Sequence, residues 1–287
     1  MNTPAIPDHQ KRRLQAHFGL SKLPFRKNMY AADMFDSRSQ RDLAHGLQFW
    51  SEVHGIGLAT GVSGVGKSIT LRRFAQDLDD TRFRVLQLSS MPTTSMGFLR
   101  SLNRVLGLPM RGHAADLFDQ AHKHLCANPD ERAAHPVLLL DDAEGMSVEQ
   151  LDILRRLTAY ALDAEDRFSV LISGTEDLLR TLRHPVLEPL RTRIGFACVL
   201  KPFSLEDTRN YVAFQLKRAD ADAKLFSEDS LRRLFQASQG RPRQINQLAL
   251  HVLIQAAVMG FEAITGDFFA AQLAAHPLYD PALGGAP

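Results

Sequence analysis

Residues 61–68 read Gly-Val-Ser-Gly-Val-Gly-Lys-Ser, a spacing that is suited to binding phosphate. Glycines let the backbone curl so that successive N–H groups point at an anion. A lysine at the seventh position of this pattern reaches the β- and γ-phosphates of a nucleotide, and the following hydroxyl holds Mg²⁺. We therefore expect Lys67 and Ser68 to bind ATP and Mg²⁺, with the backbone of Gly61, Val62, Ser63, Gly64, Val65 and Gly66 around the phosphates.

The flanks of this loop supply the strand and the helix that the motif needs. Residues 56–60 form a short apolar run, and residues 69–74 have a helix-like pattern. The positive N-terminal end of a helix that begins near Gly66 adds to the attraction for phosphate. A glycine-rich turn that contains a lysine by chance would lack both flanks.

Two carboxylates follow a second apolar run, Val137–Leu140. Four consecutive apolar residues predict a buried parallel strand, and ligands bind at the carboxyl ends of such strands. We expect Asp141 to hold Mg²⁺ opposite Ser68, and Asp142 to orient or deprotonate the attacking water. Glu144 is a second candidate for a polar contact near the γ-phosphate, or equally for a helix N-cap.

A third apolar strand, from Phe168 to Thr175, ends in small polar residues. A hydroxyl at such a tip can contact the γ-phosphate. Ser173 and Thr175 both qualify, and their spacing does not choose between them. Ordinary strand-end chemistry explains the same residues equally well.

Two arginine-containing segments follow in the second half of the chain. In Leu190-Arg191-Thr192-Arg193-Ile194, an arginine at the subunit surface can enter a neighbour's site and stabilise charge during phosphoryl transfer, although most surface arginines face water. Arg243 lies in the first turn of a predicted helix, where a cation is unfavourable for the helix dipole. A position facing the phosphates would give Arg243 a functional reason to be there.

Composition indicates a globular protein of 287 residues, with 45% hydrophobic residues, 23% charged residues and a net charge of +2. No apolar run approaches the roughly 20 residues of a membrane span, and the first ten residues lack the apolar core of a signal peptide. Cys126 and Cys198 have no metal-ligand spacing, so we expect reduced thiols and a cytoplasmic location.

The alternation of strand and helix patterns predicts a parallel α/β domain over residues 37–201. From residue 202 to residue 275 only helical patterns remain, which predicts a small all-helical lid domain. Residues 1–36 are expected to form an extended basic arm, because residues 1–50 hold eight Lys and Arg against four Asp. Residues 276–287 are rich in Pro and Gly, and we expect a disordered tail there.

The order of these motifs, from the phosphate loop and the Asp-Asp strand to Arg-Thr-Arg-Ile and Gly-Arg-Pro-Arg, resembles the AAA+ ATPases over residues 37–275. The segments His17-Phe18-Gly19-Leu20, Pro24-Phe25 and Ile172–Leu179 resemble the secretion protein A (ExeA/GspA) branch, which includes transposon-encoded TniB- and TnsC-like ATPases. The resemblance implies a P-loop fold with a parallel five-stranded sheet, flanking helices and the helical lid.

The same resemblance implies roles for individual residues. Arg193 corresponds to the arginine finger, Arg243 to the lid arginine called sensor 2, and Ser173 or Thr175 to sensor 1. Where the family commonly has Glu, this chain has Asp142. Its shorter reach is expected to slow hydrolysis, which suits a switch better than a motor.

Two functions follow from the resemblance. In the first, ATP assembles a homo-oligomeric ring or helical filament on duplex DNA, which recruits or activates a transposase, and hydrolysis disassembles it. In the second, the ATPase aids assembly of a secretion complex. Secretion protein A relatives typically continue into a transmembrane segment and a peptidoglycan-binding domain, so the end of this chain after the lid favours transposition, a form of DNA recombination.

Contacts to DNA are expected to be independent of its sequence and sensitive to salt. The candidates for these contacts are Thr93, Thr94, Arg100, Arg104, Lys11, Arg12 and Arg13.

Overall fold

The computed structural model describes residues 8–26, 34–127, 134–160 and 165–276, which fall into two compact units. The α/β unit comprises residues 38–63 and 67–201. The helical unit comprises the described residues within 1–37, 64–66 and 202–287.

The described elements follow the predicted alternation closely. In chain order they are α1 (Asp8–Phe18), α2 (Arg38–Val53), β1 (Ile56–Thr60), α3 (Lys67–Asp77), β2 (Phe83–Leu88), α4 (Ser95–Leu106), α5 (Ala114–Leu125), β3 (His135–Leu140), α6 (Val148–Thr158), β4 (Ser169–Gly174), α7 (Glu176–Leu182), α8 (Glu188–Arg191), β5 (Ile194–Val199), α9 (Leu205–Arg218), α10 (Glu228–Ser238), α11 (Pro242–Met259) and α12 (Gly266–Ala274). Short 3₁₀ turns cover Ala143–Gly145, Pro185–Leu187 and Ala223–Leu225.

The five strands of the α/β unit form one sheet in the order β2-β3-β4-β1-β5, and every neighbouring pair is parallel. This confirms the predicted fold class. All residues of β1 and β4 are buried. In β5, at one edge of the sheet, half-buried and exposed residues alternate. Because parallel strands end at the same edge of a sheet, the carboxyl ends of β1, β3 and β4 lie side by side.

The helices of the α/β unit pack their apolar faces into the same core as the strands. In α4, Phe98, Leu99, Leu102 and Leu106 are buried, as their helical spacing predicts. Helix α6 begins with a capping box in which the Ser147 and Gln150 side chains each accept the other's backbone N–H. The capping box fixes where α6 begins after β3.

Residues near the N-terminus form helix α1 within the helical unit, which differs from the expected extended arm. Leu14 is buried there, and the Arg13 guanidinium donates to Val258 O at 3.0 Å at the end of α11. Helix α1 packs on α11 and buries a single apolar side chain fully, that of Leu14, so the basic composition alone did not predict the helix. The predicted arm also includes residues 1–7 and 27–33, and the predicted tail includes residues 277–287, all of which lie outside the described residues.

The helical unit has its own core, formed by the apolar faces of α1 and α9–α12. Between α10 and α11 the backbone turns at Gly240, which has φ +68°, and a Cβ there would lie 2.1 Å from Phe203 O. Glycine is therefore required at this turn by both conformation and space. Over the described ranges, no helix combines the length and the apolar character that a membrane crossing requires.

Candidate nucleotide-binding site

The phosphate loop connects β1 to α3 with a backbone that depends on glycine. Gly64 has φ +80° and Gly66 has φ +112°, conformations that other residues rarely adopt. Helix α3 begins at Lys67, directly after the loop. A glycine-rich turn followed by a helix N-terminus is a ready anion site, which agrees with the motif.

The Lys67 side chain is buried and is held by the carbonyl groups of its own loop. Its Nζ donates to Gly61 O at 2.8 Å and to Val62 O at 3.3 Å. Burial of an ammonium group is tolerated where acceptors surround it. The contacts keep the cation at the loop, where a phosphate would meet it. Ser68, the next residue of α3, is exposed.

Asp141 and Ser173 meet at the carboxyl edge of the sheet. The Ser173 hydroxyl donates to Asp141 Oδ1 at 3.1 Å, and the Asp141 N–H donates to Leu88 O at 3.0 Å. Ser173 therefore orients the Asp141 carboxylate, while the bond to Leu88 holds the backbone that carries it. The next residue, Asp142, is exposed and has φ +55°. Aspartate is among the side chains that tolerate this left-handed conformation best.

The two hydroxyls at the end of β4 have different surroundings. Ser173 is fully buried and bonded to Asp141. The Thr175 hydroxyl is buried as well, but among the described residues it finds no hydrogen-bond partner. A buried hydroxyl without a partner costs free energy, about 1–3 kcal/mol, so a ligand that accepts from it would be favoured there.

Glu144 lies in the 3₁₀ turn after β3, close to the same strand tip. Its Oε2 accepts the backbone N–H of Thr175 at 3.2 Å. The carboxylate thus binds the backbone at the end of a different strand, a contact that the sequence did not suggest, and its contact near the γ-phosphate stays a prediction. Sequence spacing carries no signal for the bond to the Thr175 backbone.

Arg193 lies just before β5 and is half-buried. Its Nη1 donates to Arg155 O at 3.1 Å and to Thr158 Oγ1 at 3.4 Å, both at the C-terminal end of α6. Arg191 is more exposed, and its Nη1 donates to Leu182 O at 3.0 Å. Within one chain, Arg193 is thus held against its own α6.

Arg243 is exposed and begins α11 together with Pro242. Its backbone N–H donates to Gly64 O at 3.2 Å, a contact within the helical unit, which includes residues 64–66. A Cβ at Gly64 would lie 3.0 Å from the Arg243 Cβ, so glycine allows this close approach. The N-cap residue Arg241 makes no side-chain cap, and the Gly64 carbonyl satisfies one first-turn N–H instead.

The candidates for DNA contact divide between the two units. Thr93, Arg100 and Arg104 are exposed in the α/β unit, where Thr94 is the N-cap of α4 and accepts the Gly97 N–H at 3.1 Å. The remaining candidates, Lys11, Arg12 and Arg13, lie on α1 of the helical unit.

The donor chemistry fits Mg²⁺ bound together with a nucleotide. In the part of the chain that the structure describes, no group of three or more His, Cys, Asp or Glu side chains is placed to hold a metal. Mg²⁺ usually takes one or two protein ligands and completes its shell with phosphate and water. A serine hydroxyl after the loop and a single oriented aspartate match that pattern.

Comparison with known proteins agrees with this geometry. A family model described as "AAA domain" matches residues 51–182. General secretion pathway protein A of Aeromonas hydrophila is 32% identical over 261 residues; the match covers 87% of this chain and 46% of that protein, so the chain spans less than half of the relative's length.

Solved structures show the same fold at low sequence identity. The DNA complex of ORC1 from Aeropyrum pernix has a TM-score of 0.64 at 15% identity, covering 87% of this chain and 68% of that one. Cdc6p from Pyrobaculum aerophilum has a TM-score of 0.62 at 20% identity, covering 95% and 74%. The RuvB Holliday junction branch migration motor of Thermotoga maritima has a TM-score of 0.54 at 15% identity, covering 88% and 71%.

Proposed function

Because this chain belongs to the AAA+ family, in the branch that contains general secretion pathway protein A, we propose that it is an ATPase whose nucleotide state controls its assembly. The observation that carries the proposal is the arrangement at one sheet edge. The phosphate loop follows β1, and the oriented Asp141 follows β3, two strands that both neighbour β4. Mg·ATP is the ligand that this set of residues fits best.

The loop amides and Lys67 bind the phosphates in this proposal, and Ser68 and Asp141 hold Mg²⁺. The ion, when bound, neutralises charge on the β- and γ-phosphate oxygens. Asp142 orients a water and takes its proton as the water oxygen bonds to the γ-phosphorus and the bond to the β–γ bridging oxygen breaks. Thr175, rather than Ser173, donates to the γ-phosphate, since its buried hydroxyl lacks a partner among the described residues.

Assembly completes the site. Arg193 of a neighbouring copy acts as the arginine finger, and Arg243 acts as the lid arginine that senses the γ-phosphate. For Arg193 to do so, its guanidinium exchanges its bonds to the end of α6 for bonds to the neighbour's nucleotide. Hydrolysis is then slow in the monomer and faster in the homo-oligomer.

For the partner, we propose duplex DNA, on which the ATP-bound oligomer forms a ring or filament and recruits or activates a transposase. Two exposed arginines one helical turn apart on α4, Arg100 and Arg104, support a phosphate contact. Proteins that share the fold include one solved in complex with DNA. Thr94 and Arg13 already have partners within the chain, so Thr93 and Arg12 are the better secondary candidates.

A second function is favoured by one specific observation, the 32% identity to general secretion pathway protein A. In that case the same ATP-driven assembly aids the formation of a secretion complex, and DNA is not a partner. The nucleotide chemistry is identical in both cases, so only the partner distinguishes them.

Electron microscopy and sedimentation with duplex DNA test these functions together. We expect oligomers on DNA with a non-hydrolysable ATP analogue, but not with ADP or with Lys67→Ala, which loses nucleotide binding. Asp142→Asn should bind ATP and stall hydrolysis, which leaves persistent assemblies on DNA. An Arg100→Ser, Arg104→Ser double variant should assemble with ATP but lose affinity for DNA.

The outcomes separate the alternatives. Oligomers that require ATP but ignore DNA support the secretion function and overturn the transposition function. A protein that stays monomeric with ATP, Mg²⁺ and duplex DNA present contradicts the assembly switch itself. DNA affinity that does not fall in the double variant shows that α4 is not the contact.

A further inference from the structure

The structure assigns a positioning role to Glu144, a residue outside the groups that hold nucleotide or metal, and this inference rests on the proposed ATPase function. We propose that the Glu144 carboxylate fixes the turn that carries Asp142 by binding the backbone N–H of Thr175. Its role is to accept a hydrogen bond, not to carry charge or to move a proton.

The first observation is where the sheet ladder ends. Strands β3 and β4 pair from Val137–Ser169 to Leu140–Ile172. Beyond that last pair, two side-chain contacts continue the connection: Ser173 to Asp141, and Glu144 to the Thr175 N–H at 3.2 Å. The segments that leave the two strands are thus joined by side chains where the backbone ladder has stopped.

The second observation is how closely the segments pack. A Cβ at Gly174 would lie 3.0 Å from Glu144 Oε2 and 3.1 Å from Glu144 N. The end of β4 therefore runs directly against Glu144, with glycine at the point of nearest approach. This packing limits the positions that the carboxylate can adopt.

The third observation is the conformation of Asp142. It has φ +55° and ψ +37° and begins the 3₁₀ turn Ala143–Gly145. Aspartate tolerates the left-handed conformation better than most residues, but the conformation still costs free energy, which the surroundings of the turn must offset. On one side the turn is held by Ala143, which is fully buried, and on the other by the bond from Glu144 to Thr175. Loss of that bond loosens the turn, which keeps its backbone bonds from Gly145 N–H to Asp142 O and from Met146 N–H to Ala143 O, and we expect Asp142 to shift from the position from which it orients water.

The same bond acts on Thr175. This residue is the N-cap of α7, and its side chain makes no cap hydrogen bond. With its N–H held by Glu144, the backbone that carries the Thr175 hydroxyl is fixed relative to the Asp142 turn. One carboxylate therefore aligns the two residues to which we assign the water and the γ-phosphate.

The test compares Glu144→Gln with Glu144→Ala in the full chain. Glutamine keeps an oxygen that accepts the Thr175 N–H, whereas alanine does not. We expect Glu144→Ala to lower kcat of the assembled ATPase by about 10-fold or more with KM for ATP unchanged, because small displacements of catalytic groups cost this much. Glu144→Gln should stay within about 3-fold of the unchanged chain on the same grounds. Glu149→Ala, an exposed acid in the first turn of α6, is the matched control and should leave kcat unchanged.

A second readout does not depend on hydrolysis. Amide hydrogen exchange without nucleotide should be about 10-fold faster at Thr175 in Glu144→Ala and near the original rate in Glu144→Gln, as expected for loss of one hydrogen bond. Unchanged exchange elsewhere in β4 shows that the variant is folded.

These measurements keep the two proposals apart. If Glu144→Gln is as inactive as Glu144→Ala while its Thr175 exchange is normal, the negative charge matters and the positioning role is wrong. If exchange at Thr175 does not change in Glu144→Ala, the bond does not hold the strand tip and the inference fails. If the unaltered chain hydrolyses no ATP, the proposed function fails, while the exchange data still decide whether Glu144 holds this turn.

Discussion

The Ser173 hydroxyl donates to the carboxylate of Asp141 at 3.1 Å, one residue beyond the last ladder pair between β3 and β4. Ser173 is fully buried, so the hydroxyl has a fixed environment. A hydrogen bond of this kind orients a metal-ligating carboxylate and raises the affinity for the metal.

Ser173→Ala is therefore expected to weaken Mg²⁺ binding rather than nucleotide binding. The Mg²⁺ concentration for half-maximal ATPase activity should rise about 10-fold, the usual effect of removing such a support. Magnesium titrations at saturating ATP measure it. Thr175→Val is the contrasting variant, because it should lower kcat and leave the Mg²⁺ requirement unchanged. The assignment is wrong if the two variants have the same Mg²⁺ dependence.

Arg193→Ala tests the arginine finger. ATPase activity of the assembled protein should fall by about 10³-fold, the lower end for an arginine finger, while nucleotide affinity of the monomer is retained. The variant also loses the bonds to Arg155 O and Thr158, so its thermal stability should be checked beside its activity. Arg191→Ala, two residues away, is the control and should keep most of the activity. Undiminished hydrolysis by assembled Arg193→Ala contradicts the finger.

Patterns that depend on near neighbours in sequence predicted much of this molecule. The apolar faces of α4 and the buried strand that ends at Asp141 follow from local spacing, and the structure has both. Thr94 carried a readable signal as well, since a threonine before a helical run is a common N-cap.

What the sequence did not predict depends on residues that are distant in the chain. Helix α1 has few apolar residues, and its packing on α11 became visible only through Leu14 and the bond from Arg13 to Val258. The different surroundings of Ser173 and Thr175, and the bond from Glu144 to Thr175, arise where two strands end together. No spacing rule within one strand contains that information.

Gly240 and Gly260 form a matched pair for stability. Both have left-handed backbones, with φ +68° and +79°, but a Cβ at Gly240 would lie 2.1 Å from Phe203 O, whereas a Cβ at Gly260 meets nothing within 4 Å. We expect Gly260→Ala to cost about 1 kcal/mol of unfolding free energy, from backbone strain alone. Gly240→Ala should cost about 3 kcal/mol or more, because backbone must also move. Urea unfolding of both variants, followed by a signal from the helical unit, gives their free energies of unfolding. Equal losses of unfolding free energy in the two variants would contradict the steric argument.

His54 lies two residues before β1, at the amino ends of the strands. Its ring stacks on that of His135, the first residue of β3, with centroids 3.9 Å apart. Burial lowers the pKa of His54, as does the nearby Arg82 to a smaller extent, and the carboxylates of Asp166 and Glu52 partly oppose this effect. The folded chain therefore binds a proton at His54 less readily than the unfolded chain does.

Acid should consequently destabilise the α/β unit through His54. The unfolded chain takes up the proton as the pH falls below about 6.5, so the free energy of unfolding decreases from that pH down to the lower pKa of the folded state. His54→Asn removes the titrating ring and keeps a residue that tolerates φ +66°. The fall in melting temperature between pH 7.5 and pH 5.5 should be smaller in this variant than in the exposed control His45→Gln. Some pH dependence should remain, because burial also lowers the pKa of His251 in the helical unit. An equal fall in both variants would show that the His54–His135 stack does not couple folding to protonation.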